Sequence, residues 1–126
     1  GIELVAPVLY DAGVAQGRLS PVQFSQLMAT HVAQRFNFSQ KGSIELGKDA
    51  DFAILDPQAQ FTITDAGLHT KTNAITPLAG RTLQGKVTAT WVRGQRVYAD
   101  DQVLAPFTYG DFVPGQGLKA GASNEG

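Results

Sequence analysis

There is no cysteine among the 126 residues, a single methionine, a single tryptophan and only two histidines. Without thiols there can be no disulfide framework, thiolate zinc site, iron–sulfur cluster or cysteine nucleophile. The absence is compatible with a reducing compartment. Charge of one sign is lacking too: 10 Lys and Arg stand against 11 Asp and Glu, a net charge of −1. That balance removes the electrostatic argument for nucleic acid or an anionic membrane surface as a partner. The apolar runs fall short of the ~20 residues a membrane span needs, and no signal-peptide pattern is visible, so a cytoplasmic location is expected. What is present is 43% hydrophobic and 17% charged residues, the composition of a globular domain or of a piece of something larger. The chain opens on Gly1-Ile2-Glu3-Leu4 rather than on Met, and the expectation is a processed chain or a fragment.

Ile2, Val5, Val8, Leu9 and Ala12 recur at helical spacing, and Gly13 and Gly17 offer stops. Ser20-Pro21-Val22-Gln23 reads as a capping box with proline at the first helical position. Phe24, Leu27, Met28, Val32 and Phe36 then make a second apolar stripe. From Lys41 the period changes to that of strands. Ile44 and Leu46 alternate with polar residues, Phe52–Leu55 reads as a short strand ended by Asp56-Pro57, and Phe61–Thr64 as another. Residues 66–80 read as a loop, and Leu83–Val92 as a long strand. Arg93–Arg96 reads as a hairpin turn, with Val97-Tyr98 starting the return. After Asp100 the pattern loosens into an extension with a low-complexity tail over 115–126. Two helices followed by roughly four strands give an α+β organisation whose thin sheet calls for strands from elsewhere.

Candidate chemistry is sparse. His31 borders the second stripe, but its i+3 and i+4 positions hold Gln34 and Arg35, so a structural histidine is expected. His69 has no carboxylate at any motif spacing and is expected to be solvated or bonded to backbone. Asp49 and Asp51 make a poor metal clamp without a third ligand; capping a turn before Phe52 suits them better. Ser20 and Ser43 lack triad partners. Gly115-Gln116-Gly117 follows no strand and opens no helix, unlike a phosphate loop. Trp91 alternates within a strand as a core residue would, and Arg81, Arg93 and Arg96 are too few for a nucleic-acid footprint. The residues alone yield no self-sufficient catalytic site.

The segment Lys41-Gly42-Ser43-Ile44-Glu45-Leu46-Gly47-Lys48-Asp49-Ala50-Asp51-Phe52-Ala53-Ile54-Leu55-Asp56-Pro57 resembles the pattern G-x-I/L-x-x-G-x-x-A-D-hydrophobic-x-x-x-D near the C-terminus of amidohydrolase-superfamily enzymes. Gly1–Leu4, Gly17–Ser20, Met28–Thr30, Thr76–Arg81, Gly85–Val87 and Trp91–Tyr98 are similar to the cyclic amidohydrolases: allantoinases first, then dihydroorotases and hydantoinases (dihydropyrimidinases). The likeness covers about residues 1–100. His31-Val32 departs from it, since the family usually has Asn and then a small residue or Pro after Ala-Thr.

The resemblance implies terminal helices of a TIM-type barrel over 1–40, part of a small β-sandwich domain over 41–100, and an extension with a flexible tail over 101–126. It implies a parent enzyme that hydrolyses a cyclic amide or ureide with a divalent metal, binuclear zinc by the family's habit. An Asp would move the proton to the leaving nitrogen. None of the family's metal ligands or catalytic residues matches a position in this chain, so no metal is expected to be bound by it and it is expected to be inactive alone. Only Gly1 and Ile2, after the last barrel strand, are implied as substrate-binding, and Gly1 could equally serve a tight turn. The parent is expected to be a homo-oligomer that needs the N-terminal barrel. A free-standing interaction module and a subunit completing another chain's site stand as alternatives, because architecture alone does not assign function.

Overall fold

A computed structural model describes residues 2–69 and 76–117. The chain starts in a 3-10 turn over Ile2–Leu4, continues as helix α1 (Val5–Leu9) and widens to π geometry over Tyr10–Ala15. Gly13 lies inside this stretch rather than ending it, and the backbone turns at Gly17 instead. Leu19 folds back over Gly13, where a Cβ would lie 2.7 Å from Leu19 Cδ1. The second helical stretch opens at α2 (Pro21–Ser25) with the expected capping box. Gln23 N donates to Ser20 Oγ at 3.1 Å, and Ser20 N to Gln23 Oε1 at 2.9 Å. It passes through π geometry over Gln26–Thr30 into α3 (His31–Arg35).

Among the described residues, four strands form one antiparallel sheet in the order β1-β2-β3-β4: β1 (Phe52–Thr62), β2 (Thr82–Val92), β3 (Gln95–Ala99) and β4 (Gln102–Val103). Three sequence expectations change here. Ile44 and Leu46 belong to no strand; both are exposed in a turn-rich segment, since two alternating residues without a paired neighbour make no ladder. Asp56-Pro57 does not end a strand. It sits in an irregularity of β1 between Asp56 and Gln60, where Gln58 N donates to Asp56 Oδ1 at 2.8 Å. β1 is an edge strand, where a proline's missing N–H costs no ladder bond. The hairpin turn is only Arg93-Gly94, with φ of +47° and +79°, so β3 begins at Gln95. Two consecutive positive φ values suit the right-handed twist of the flanking strands.

Asp100 and Asp101, with φ of +50° and +62°, make a second two-residue turn into β4, a two-residue strand too short to show an alternating pattern in the sequence.

The core is small. Leu4, Ile63 and Leu83 are buried together, with Val8, Phe61, Leu68 and Leu78 packed around them. The first helical stretch lies on β2. Asp11 Oδ1 accepts from Gln84 N at 2.9 Å, and Tyr10 covers Gly85, whose φ is +93° and whose Cβ, if present, would lie 2.4 Å from the Tyr10 ring. The second stripe is mostly uncovered: Leu27, Val32 and Phe36 are exposed, and Val22 beside them is 66% exposed. Over 101–117 the extension is pinned. Arg93 Nη2 donates to Tyr109 O at 2.5 Å, its guanidinium lies 4.5 Å over the Tyr109 ring, and Tyr109 OH donates to Val92 O at 2.7 Å. Gln116 N donates to Asn37 O at 2.9 Å, returning the extension to the end of the second helical stretch.

Candidate functional site

The segment before β1 is built around one cation. Lys41 Nζ lies 2.8 Å from Asp49 Oδ2 and 2.5 Å from Asp51 Oδ2. Asp51 also spends its other oxygen: Oδ1 accepts from Arg93 N at 2.8 Å, and next to it Ala50 O accepts from Gly94 N at 2.9 Å. Neither acid caps its own turn: Asp51 accepts a backbone amide in the far hairpin, and the Asp49 side chain faces Lys41. Bonding to Asp49 and then Asp51 raises the Lys41 pKa above its ordinary value. For Asp51, burial pushes upward, but Lys41 and the Arg93 amide outweigh it and hold the carboxyl below the usual range. Thr30 Oγ1 donates to Gly42 O at 2.8 Å, which seats this segment on the second helical stretch.

A second cluster joins the start of the chain to the sheet. Glu3 Oε1 accepts from His69 N at 2.8 Å, and Glu3 Oε2 lies 3.0 Å from His69 Nδ1. His69 therefore has a carboxylate partner, contrary to the sequence expectation. The partner is 66 residues away, beyond any motif spacing. The His69 ring meets Tyr98 edge-on at 6.2 Å. Tyr98 OH donates to Asp101 Oδ1 at 3.2 Å, and Lys86 Nζ lies 2.9 Å from Asp101 Oδ2. Burial, then Asp101 and Glu3, raise the Tyr98 pKa; Lys86 and then Tyr98 lower that of Asp101. These side chains border a cleft of about 430 Å³ whose floor includes Leu4, Phe61 and Val87.

Of the two residues implied as substrate-binding, Gly1 lies outside the described residues and Ile2 is 94% exposed at the start of the first turn. His31 is exposed on α3, at the border of a stripe that is itself mostly uncovered, and Trp91 is half-buried. Among the described residues no three His, Cys, Asp or Glu side chains gather as metal ligands would. Asp49 and Asp51 both face Lys41, and Glu3 faces His69, so the donor set does not fit a divalent metal centre. No described helix is long and apolar enough to cross a membrane. Glu3, Lys86, Tyr98 and Asp101 were not legible as a group, because four separate segments supply them with His69.

The family model described as "Amidohydrolase family" matches residues 14–98, which includes both ends of the Asp51–Arg93 tie. The chain is 38% identical over 106 residues to a protein of Streptomyces avermitilis named allantoinase, covering 84% of this chain and 23% of that one. It is 33% identical over 113 residues to the Escherichia coli protein of the same name, covering 90% and 25%. Among solved structures, a D-hydantoinase superposes with a TM-score of 0.83 at 31% identity, covering 90% of this chain and 24% of that chain. The dihydropyrimidinase of Brevibacillus agri superposes with a TM-score of 0.74 at 34% identity, covering 79% and 22%. The chain spans about a quarter of the length of the curated relatives it matches.

Proposed function

The chain belongs to the amidohydrolase family, and from that premise we propose that it is the C-terminal portion of a metal-dependent cyclic amidohydrolase that opens allantoin by hydrolysing a ring C–N bond. The observation that carries this reading is the continuity of the match from the first helical stretch through the hairpin after β2. It takes in the Lys41–Asp51 segment that resembles the family pattern, and relatives named allantoinase align across more than four-fifths of the chain.

On this reading, residues 1–40 are the last helices of a TIM-type barrel and 41–100 the C-terminal half of a β-sandwich. The exposed stripe of Leu27, Val32 and Phe36 and the open edge of β1 suit such a role, since both are surfaces that further chain would cover. The metal, read as binuclear zinc, and the proton-moving Asp are assigned to the part of the relatives' length that this chain does not span. The described residues carry no donor set for them. The contribution assigned to this chain is positional: it supplies Gly1 and Ile2 at the substrate and anchors them through the turn that follows. The substrate partner is a small cyclic amide or ureide, the parent a cytoplasmic homo-oligomer, and the isolated chain inactive.

A second reading, hydantoinase or dihydropyrimidinase activity, is favoured by the solved structures that superpose on the chain; dihydroorotase stands behind it on the sequence resemblance. The test is ring opening by the full-length, zinc-loaded protein on allantoin, hydantoin and dihydroorotate. Allantoin turned over with the highest kcat/KM supports the first reading. A preference for hydantoin transfers the assignment to the second. A folded, metal-bound protein inert to all three rings would make this a non-catalytic module.

A further inference from the structure

Phe107 is fully exposed, yet its backbone is fixed on both sides. Before it, Leu104 N donates to Val97 O at 2.8 Å, which ties the start of the extension to β3. After it, Tyr109 N donates to Pro106 O at 3.0 Å and closes a tight turn with Phe107 and Thr108 at its tip. Tyr109 is itself held by the Arg93 guanidinium and the Val92 carbonyl. A large apolar ring on so restrained a turn loses little freedom when another surface covers it, and its burial is favourable.

The cleft beneath His69 and Tyr98 begins next to this ring. Val103 forms part of the cleft wall, and Phe107 follows four residues later, a span of at most about 14 Å. The floor is apolar, and the charged groups on the rim are already matched, Glu3 with His69 and Lys86 with Asp101. An uncharged occupant therefore suits the cleft better than an ion. The His69 and Tyr98 rings, edge-on to each other, offer the kind of surface against which a further ring packs. Phe107 does not enter the cleft of its own chain, since it stands fully in solvent. A projection and a hollow side by side on one surface make that surface complementary to a copy of itself turned about a two-fold axis. The topology leaves this side open: β1 is the edge assigned above to further chain of the same protein, and β4 lies at the opposite edge. Val103 and Leu104, both exposed, widen the apolar patch around Phe107.

We propose that the β4 side of the sheet is an interface with a second copy of this chain, in which Phe107 of each copy enters the cleft of the other. The inference rests on the reading above that the parent is a homo-oligomer, and it names the surface. One ring covers about 200 Å², so Phe107 is the anchor of the contact, and Val103 and Leu104 surround it.

The test is sedimentation velocity on the full-length, zinc-loaded protein over a concentration series, with melting temperatures on the same samples. Phe107→Ser removes the projecting ring. Thr90→Trp fills the cleft from β2, since Thr90 lines it. Each variant alone should self-associate at least about tenfold more weakly than the parent. Mixed in equal amounts, the two should recover association. The Thr90→Trp copy still carries its ring and the Phe107→Ser copy still has an open cleft, so one of the two contacts re-forms. A defect of folding alone would not be repaired by mixing. An oligomer that Phe107→Ser leaves unchanged overturns the interface while the homo-oligomer reading stands. Weakening in both variants without recovery on mixing also overturns it. If Thr90→Trp lowers the melting temperature and leaves association unchanged, chain from the same copy fills the cleft and the inference fails. A parent that is monomeric at every concentration rejects the interface and the homo-oligomer reading together.

Discussion

Asp51 accepts the main-chain N–H of Arg93 at 2.8 Å, so a residue just before β1 fixes the hairpin that closes β2. The same carboxylate takes Lys41 on its other oxygen, and the neighbouring Ala50 carbonyl accepts Gly94 N. One side chain thereby joins the turn-rich segment, the edge strand and the hairpin. Replacing Asp51 with Ala leaves the Lys41 ammonium with Asp49 alone and the Arg93 amide without this acceptor. The expected loss is about 2 kcal/mol, larger than for Asp49→Ala, because Asp49 makes only one of these contacts. Urea denaturation of the two variants checks the order.

The same tie sets a pH dependence. The Asp51 carboxyl is held below its ordinary value, so its contribution is present above the unfolded value of 3.8 and is lost as pH falls through the lower folded value. Lys41 is raised above 10.5, so its half is complete below that value and is lost only as pH rises through the higher folded value. Between those limits the pair is intact. The stability gap between the parent and Asp51→Asn should therefore be widest near neutrality and shrink toward about pH 2. Denaturation midpoints across that range measure it, and a gap that grows in acid would reverse the sign.

Gly85 meets two demands at once, a φ of +93° and a Tyr10 ring where a side chain would stand. Gly85→Ala should cost about 2–4 kcal/mol. Removing the ring by Tyr10→Ala should relieve part of that cost but not all, because the backbone strain remains. A double-mutant cycle separates the two.

Arg93 also holds the extension. Its guanidinium covers Tyr109, donates to the Tyr109 carbonyl and lies 3.5 Å from Asp111 Oδ2. Arg93→Ala should raise amide exchange across 106–117 while leaving β2 protected, as hydrogen exchange by mass spectrometry would show.

The uncovered stripe predicts how the 126-residue chain behaves by itself. Val22, Leu27, Val32 and Phe36 form an apolar surface with β1 as an open strand edge. Self-association in sedimentation velocity is the expected result, and Leu27→Lys with Phe36→Lys should reduce it. A monodisperse monomer would show that these surfaces need no cover.

Local signals were legible in the sequence and distant ones were not. The Ser20–Gln23 capping box is complete within four residues, and the structure forms it with both bonds. β2 was readable because its alternation is long, and the Arg93-Gly94 turn because glycine marks it. Asp56-Pro57 misled because the cost of a proline depends on whether its strand is central or at an edge, which only the topology decides. Gly13 misled because it serves close packing against Leu19 rather than helix termination. His69 and Glu3 could not be paired from spacing across 66 residues. The family resemblance, by contrast, rests on residue types in a fixed order; the structure joins Lys41, Asp49 and Asp51 of that order in one ion-pair cluster, while the reach of Asp51 to Arg93 is again a distant tie.

The measurement that tests the central claim most directly is the intact mass of the native polypeptide carrying these residues, with metal analysis on the same material. The account predicts a mass several times 13.4 kDa, in keeping with relatives of which this chain covers about a quarter, together with bound divalent metal. A native polypeptide of 13.4 kDa that is folded and metal-free would contradict it.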